Sequence, residues 1–456
     1  MESWFSRHRG FFISFLLLDI LICWGGYWKV SGCLDSERKA LTTFRKALND
    51  PFNLLSSWDD DVSDCCKWRG ITCHNRIGFV LKLDLHADNY SLSGRIDPAL
   101  LELKHLKFLD LSFNDFNGAP IPDFLGSMKE LRHLNLSYAG LRGRIPHQLG
   151  NLSHLISLQL SSSPDDYDYL SAENLWWLRS LPFLKYLNLS GVNLSMASHD
   201  WVHVMNNSPS LVELRLPHCR LSYIPLTLAF VNFTSLRVLD LYWNEFNSTI
   251  PNWIANISSL VSLDLSHNHF QGPVPFQFSQ LHNLEELLLG LTNDNHMFNW
   301  SEILEGSWSK LKLLDLSFSQ LHGEIPKPIW NMTSLESLSL SFCENTKGSI
   351  SRAITKLINL ESLSLDGYHM HVPIPEWFDE LKNLKHLTIR DCMLTGPIPA
   401  TLFGELYSLE ELDLSCNQLN WTIPTTLGKL SNLYLLDLSN NSLTGNVSEV
   451  VLYLLF

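Results

Sequence analysis

The sequence predicts an α/β solenoid: short stacked units that lay a parallel β-sheet along a concave face, with a separate cap at the N-terminal end. Three observations predict it. Leucines that open an LxxLxL pattern fall at Leu106, Leu131, Leu155, Leu184, Leu211, Leu236, Leu260, Leu284, Leu311, Leu335, Leu360, Leu384, Leu409 and Leu433, at gaps of 24 to 29 residues. Such a period is the signature of a repeat architecture, and chance does not produce it. Within a unit the letters alternate apolar and polar, as in LDLSFN from Leu109, which is the period of a half-buried strand. Ahead of the repeats lies a cysteine-bearing block of different character, Cys33 to Cys73.

With a degenerate first copy at Val80, Leu83 and Leu85, the units number about fifteen. The organisation reads as residues 1–32 signal peptide, 33–79 cap and 80–456 repeats, the last one incomplete. Arg7, His8 and Arg9 make a basic n-region and Phe11 to Trp24 an apolar core, interrupted by Asp19. Together they fit a secretory signal cut before Cys33. A retained signal anchor is the alternative, and it needs a longer uninterrupted apolar run.

In the cap, Ala40, Leu41, Phe44, Ala47 and Leu48 share one side of a helix. In each repeat the strand is expected at LxL, for example Leu239 to Leu241 and Leu412 to Leu414, stacked in parallel along a right-handed curve. The leucines point inward, and Asp110 and Ser112 outward. Asn114 ends its strand where its amide can bond neighbouring turns; Asn244, Asn268, Asn417 and Asn441 repeat it. Losing such a buried partner costs ~1–3 kcal/mol. Cys219, Cys343 and Cys392 occupy the same position elsewhere and read as buried thiols. The second half of a unit reads GxIPxxLGxL, as in GRIPHQLGNL from Gly143. There the glycine permits a sharp bend, and the proline fixes a turn before a short helical stretch.

The combined pattern LxxLxLxxNxLxGxIPxxLGxL resembles the plant-specific class of leucine-rich repeats, and Cys33 to Cys73, with Trp58 and its CCxWxGxxC cluster, resembles that class's N-terminal cap. The likeness spans essentially everything after Cys33. It implies disulfides Cys33–Cys65 and Cys66–Cys73. A zinc site is the other reading of clustered cysteines, but CC-x6-C lacks the paired spacing that zinc frameworks use. In finer detail, the segments from Asn174 and Asp200 are similar to receptor-like proteins that perceive fungal ethylene-inducing xylanase.

Sequons occur at Asn89, Asn151, Asn206, Asn232, Asn247, Asn256, Asn299, Asn331 and Asn420, which we take as glycan candidates. Further sequons lie at Asn135, Asn188, Asn193, Asn440 and Asn446. The strands put Asn135 and Asn188 on the concave face, where full occupancy is not expected.

The candidate binding surface is a column, formed by the residue two places after each final strand leucine. It runs Phe113, Tyr138, Ser162, Gly191, His218, Trp243, His267, Leu291, Phe318, Phe342, Gly367, Asp391, Cys416 and Asn440. Exposed aromatics supply rigid contact area and favour a binding role; the bland reading is that they shield the sheet edge. The predicted ligand contacts are Tyr138, Trp243, His267, Phe318 and Phe342. The neighbouring aspartates, Asp110, Asp240, Asp264, Asp315, Asp413 and Asp437, read as the usual letter of the repeat. Three longer units begin at Leu155, Leu184 and Leu284; the first carries the acidic and aromatic run Asp165 to Tyr169. Such insertions map to loops, often on a binding face.

A formal net charge of −14 argues against nucleic acid, whose phosphates need a basic face. No GxSxG, HExxH, phosphate-cradling or kinase motif is present, so no enzyme activity, cofactor or metal is expected. The resemblance implies an extracellular recognition domain in plant defence, at the outer face of the plasma membrane or in the apoplast. It would bind a protein, peptide or glycan and signal through a partner receptor kinase. A secreted inhibitor of a microbial wall-degrading enzyme, like the polygalacturonase-inhibiting proteins, is the alternative; those have about ten units and a closing cap. The chain stops in mid-repeat at GNVSEVVLYLLF, as expected of a fragment, a truncated gene model or a shortened secreted form.

Overall fold

The structure is a computed structural model, and it describes residues 32–59, 64–87, 91–163, 170–290, 308–318, 325, 327–342 and 350–445. Residues 1–31 of the expected signal segment, Leu291, Cys343, Asn89, Asn299, Asn446 and the run Asp165 to Tyr169 lie outside the described residues.

Among the described residues one sheet of 16 strands runs from Ile71 to Asp437. Its first strand, Ile71–Cys73, belongs to the cap and pairs antiparallel with Val80–Asp84. Every later strand, from Val80–Asp84 to Leu435–Asp437, pairs in parallel with the next. The register keeps equivalent leucines opposite one another, as in Leu109 with Leu134 and Leu239 with Leu263. A shift of one residue would turn each leucine to solvent, so burial pins the register. These leucines, with Leu111, Leu241 and their equivalents, form one continuous core.

The strands lie one residue earlier than LxL, at Val238–Asp240 and Glu411–Asp413. Pairing centres on the first leucine of each motif, and the backbone turns soon after the second. The helical stretch is a 3₁₀ turn in most units. Prolines precede it, as Pro146, Pro251 and Pro424 do, where their fixed φ suits helix entry. Gly143 and Gly396 do not make the bend. They sit at positive φ inside short second strands, Gly143–Arg144 and Thr395–Gly396, which form narrow parallel sheets on the flank. The long unit from Leu184 also departs from expectation. Its extra residues include an α-helix, Trp201–Met205, that buries Trp201, Val202, Val204 and Met205. An insertion that supplies so much apolar surface is core rather than loop.

The asparagine ladder has the expected role. Asn114 is buried; its Nδ2 donates to the carbonyls of Leu85 (2.8 Å) and Leu111 (3.0 Å), and its Oδ1 accepts from Leu92 N (2.8 Å). Cys219 stands in for the donor half: its thiol lies 3.1 Å from Leu189 O.

The cap helix α1 (Asp35–Ala47) seats Leu41 and Phe44 in the core. Trp58 stacks on Trp68, centroids 5.4 Å apart, and donates from its indole to Arg69 O at 2.8 Å. Two disulfides, Cys33–Cys65 and Cys66–Cys73, tie the cap together.

Candidate ligand-recognition face

The column is built by an unusual backbone. Phe113, Tyr138, His218, Trp243, His267, Phe318 and Phe342 all adopt φ between 51° and 58°. Bulky side chains rarely occupy this left-handed region, which costs roughly 1–2 kcal/mol per residue. The stack holds them there. Each donates its N–H to the next unit, as Trp243 N does to Ser266 O (3.1 Å) and His267 N to Gly290 O (2.8 Å). The turn ends the strand and lifts each ring onto the sheet edge. Sequence reasoning missed this conformation, although Gly191, Gly367, Asp391 and Asn440 in the same column are left-handed too. Those are the residue types that tolerate it.

The rings form three groups rather than one stripe. Tyr138 stacks on Phe113 with centroids 5.1 Å apart. Trp243 lies between His218 (5.1 Å, 20°) and His267 (4.8 Å, 13°), while Tyr242 meets both histidines edge-on. Phe318 and Phe342 stack at 4.7 Å. Ser162 and Gly191 separate the first group from the second. Trp243 remains 51% exposed within its stack, so it presents apolar area already held in one orientation.

Beside the column, the aspartates accept from the backbone two residues on: Asp264 Oδ1 from Ser266 N at 2.9 Å, Asp240 Oδ1 from Tyr242 N at 3.1 Å. Burial pushes the Asp264 carboxyl up to about 6 and raises Asp240 as well. Burial also lowers the His267 imidazole below its usual range. Among the described residues no group of three or more His, Cys, Asp or Glu side chains is arranged to hold a metal ion.

Residues 34–74 match the leucine-rich repeat N-terminal domain family, residues 209–270 one leucine-rich repeat family, and 105–128, 130–152, 310–332 and 408–430 another. The chain is 37% identical to receptor-like protein EIX1 of Solanum lycopersicum over 56% of its own length, and 36% identical to EIX2 of the same plant over 73%. The chain carries leucine-rich repeats and their N-terminal cap, and the relatives it matches are plant receptor-like proteins. It spans 26% and 33% of those two relatives' lengths. Its fold superposes on the Arabidopsis receptor kinase HAESA ectodomain, in complex with an IDA peptide hormone ligand, with a TM-score of 0.71 and 30% identity. That match covers 90% of this chain and 66% of that one.

The sequons of this leucine-rich-repeat chain fall mostly away from the column. Asn151, Asn256 and Asn331 are exposed and close 3₁₀ turns on the opposite side of the repeat. Asn247 and Asn420 are exposed on the flank, and Asn232 is half-buried. Asn206 does not suit a glycan. It is 5% exposed, its Nδ2 donates to Phe230 O (2.9 Å), and its Oδ1 accepts from Asn232 N (2.7 Å). Asn135 is committed in the same way, donating to Asp110 Oδ2 at 2.9 Å. Among the described residues no helix is long and apolar enough to cross a membrane.

Proposed function

We propose that this chain is the extracellular recognition part of a plant receptor-like protein acting in defence. It binds a protein or peptide elicitor on the concave sheet face, and a partner receptor kinase carries the signal onward. The observation that carries this reading is the His218–Trp243–His267 stack: a preorganised, half-exposed aromatic platform on the face that the candidate glycan sites leave open. Rigid aromatics near the centre of a face are the usual anchors of binding energy. The likeness to EIX1 and EIX2 supports a defence role, and the peptide complex of the HAESA ectodomain supports a peptide or protein ligand. The disulfide-bonded cap supports an oxidising, extracellular setting.

The test titrates the secreted chain with a fungal ethylene-inducing xylanase, comparing wild type with Trp243→Ala. Saturable binding that weakens ~30-fold in the variant, about 2 kcal/mol, is the expected result. Equal affinity of the well-folded variant would reduce the column to edge shielding.

A further inference from the structure

The aromatic column is broken at Ser162 and Gly191, and the break is a cavity of about 420 Å³. Its lining runs from Tyr138 to Asp264; within the column the break itself is flanked by Tyr138 and His218, three strands apart along the sheet. At a rung spacing near 4.8 Å that is a gap of roughly 14 Å. The gap is built in. Gly191 has φ +73°, and a Cβ there would meet Ser162 O at 2.2 Å, so a side chain cannot fill the space from within. Asp240, Asp264 and Tyr242 complete the lining.

We propose that this break is a socket for a lysine or arginine side chain of the ligand, deepening the reading of the concave face as the recognition surface. Asp240 and Asp264 are direct partners on adjacent strands. No lysine or arginine lines the cavity. The nearest base, Arg215, reaches Asp240 at 3.6 Å but divides itself with Glu213, also at 3.6 Å. Asp264 Oδ1 is bonded to Ser266, and no donor to its Oδ2 is present among the described residues. The equivalent Asp110 shows the satisfied state: there Asn135 supplies that second donor. Tyr242 also replaces the serine found two places after most strand aspartates, so Asp240 lacks the hydroxyl that Ser266 gives Asp264.

Two partly desolvated carboxylates about one rung apart, inside aromatic walls, suit one occupant. A guanidinium fork spans that distance and bonds both carboxylates, and its aliphatic stem packs along Pro217 and the His218 ring, one unit before Asp240, as such stems do on apolar surface. Burial has already weakened both acids, and an arriving cation reverses that.

The secreted chain is titrated calorimetrically with Nα-acetyl-arginine amide and with its neutral isostere, Nα-acetyl-citrulline amide. The arginine probe is expected to bind in the millimolar range and the citrulline probe at least tenfold more weakly. The double variant Asp240→Asn/Asp264→Asn should lose at least tenfold for arginine and stay folded, because Asn135 and Asn188 already fill this column. Tyr242→Ser, which restores the commoner residue, should weaken the probe without affecting folding. Arginine affinity should also fall roughly tenfold from pH 7.5 to pH 5 as Asp264 protonates. Asp240 and Asp315 flank Asp264, Arg215 and His218 face Asp240, and protonation of His218 or His267 would repel the cation and act in the same direction. Equal binding of the two probes, or arginine binding untouched by the double variant, overturns the socket. Such a failure leaves the concave-face reading standing, since that is tested separately through Trp243.

Discussion

Glu37 Oε2 accepts a hydrogen bond from Val80 N at 3.0 Å, joining the cap helix to the first strand of the repeat sheet across 43 residues. Glu37 is 2% exposed, and burial raises its pKa against the pull of that amide. A strand amide at the sheet's beginning would otherwise face the cap with no acceptor. Glu37→Ala is therefore expected to destabilise the junction by ~1–3 kcal/mol, with Glu37→Gln milder because its carbonyl still accepts. Hydrogen exchange at Val80 reads the effect directly: protection should collapse in the alanine variant and largely survive in the glutamine one.

Asp264 makes stability depend on pH. Its carboxyl titrates near 6 in the folded chain, raised mainly by burial and also by Asp240 and Asp315, against about 3.9 when unfolded. A raised folded pKa means that the folded state holds the proton more tightly. The stabilisation is complete below pH 4 and disappears as pH rises through 6. Asp264→Asn removes that dependence and should gain on the order of 2 kcal/mol relative to wild type at pH 7.5, with little difference near pH 4. Paired urea unfolding curves at the two pH values check this; a variant less stable than wild type at pH 7.5 contradicts it.

The period, the fifteen parallel strands and the cap were legible because they rest on burial. A leucine that must face inward every 24 to 29 residues leaves few other folds open. The column's membership was legible for the same reason, since register fixes which residues neighbour one another. Its backbone was not. Left-handed φ at Trp243 is imposed by the turn that ends the strand and by the hydrogen bond to Ser266, neither of which shows in the letters Tyr-Trp-Asn. Glu37 and the Asp240–Asp264 pair were hidden differently. Their chemistry depends on partners 24 or more residues away and on burial that a polar letter does not announce. Asn206 misled because a sequon records a local motif, while its burial against Phe230 is tertiary.

Cysteine labelling separates the described thiols. Cys219 and Cys392 are fully buried; burial raises both, Cys392 to about 12. Cys416 is partly exposed in the aromatic column. Since the thiolate is the reacting species, iodoacetamide at pH 7.5 should alkylate Cys416 in the native chain and spare the other two until denaturant is added. Peptide mapping reads this, and early labelling of Cys219 would contradict its place in the asparagine ladder.

Trp243 offers a test of the column's backbone that does not require a ligand. At an ordinary exposed site alanine is at least as stable as glycine, because glycine loses more conformational freedom on folding. At φ 51° the order should reverse: alanine keeps the Cβ that strains this region, and glycine relieves it. Trp243→Gly is therefore expected to be about 1 kcal/mol more stable than Trp243→Ala. Gly191 and Gly367 already stand at this position in two other units with φ of 73° and 69°, so the chain accepts glycine there. Both variants remove the indole from between His218 and His267 and should weaken elicitor binding alike. Denaturation midpoints for the pair decide the question, and an alanine variant equal to or more stable than the glycine one would mean that the tryptophan backbone is not left-handed.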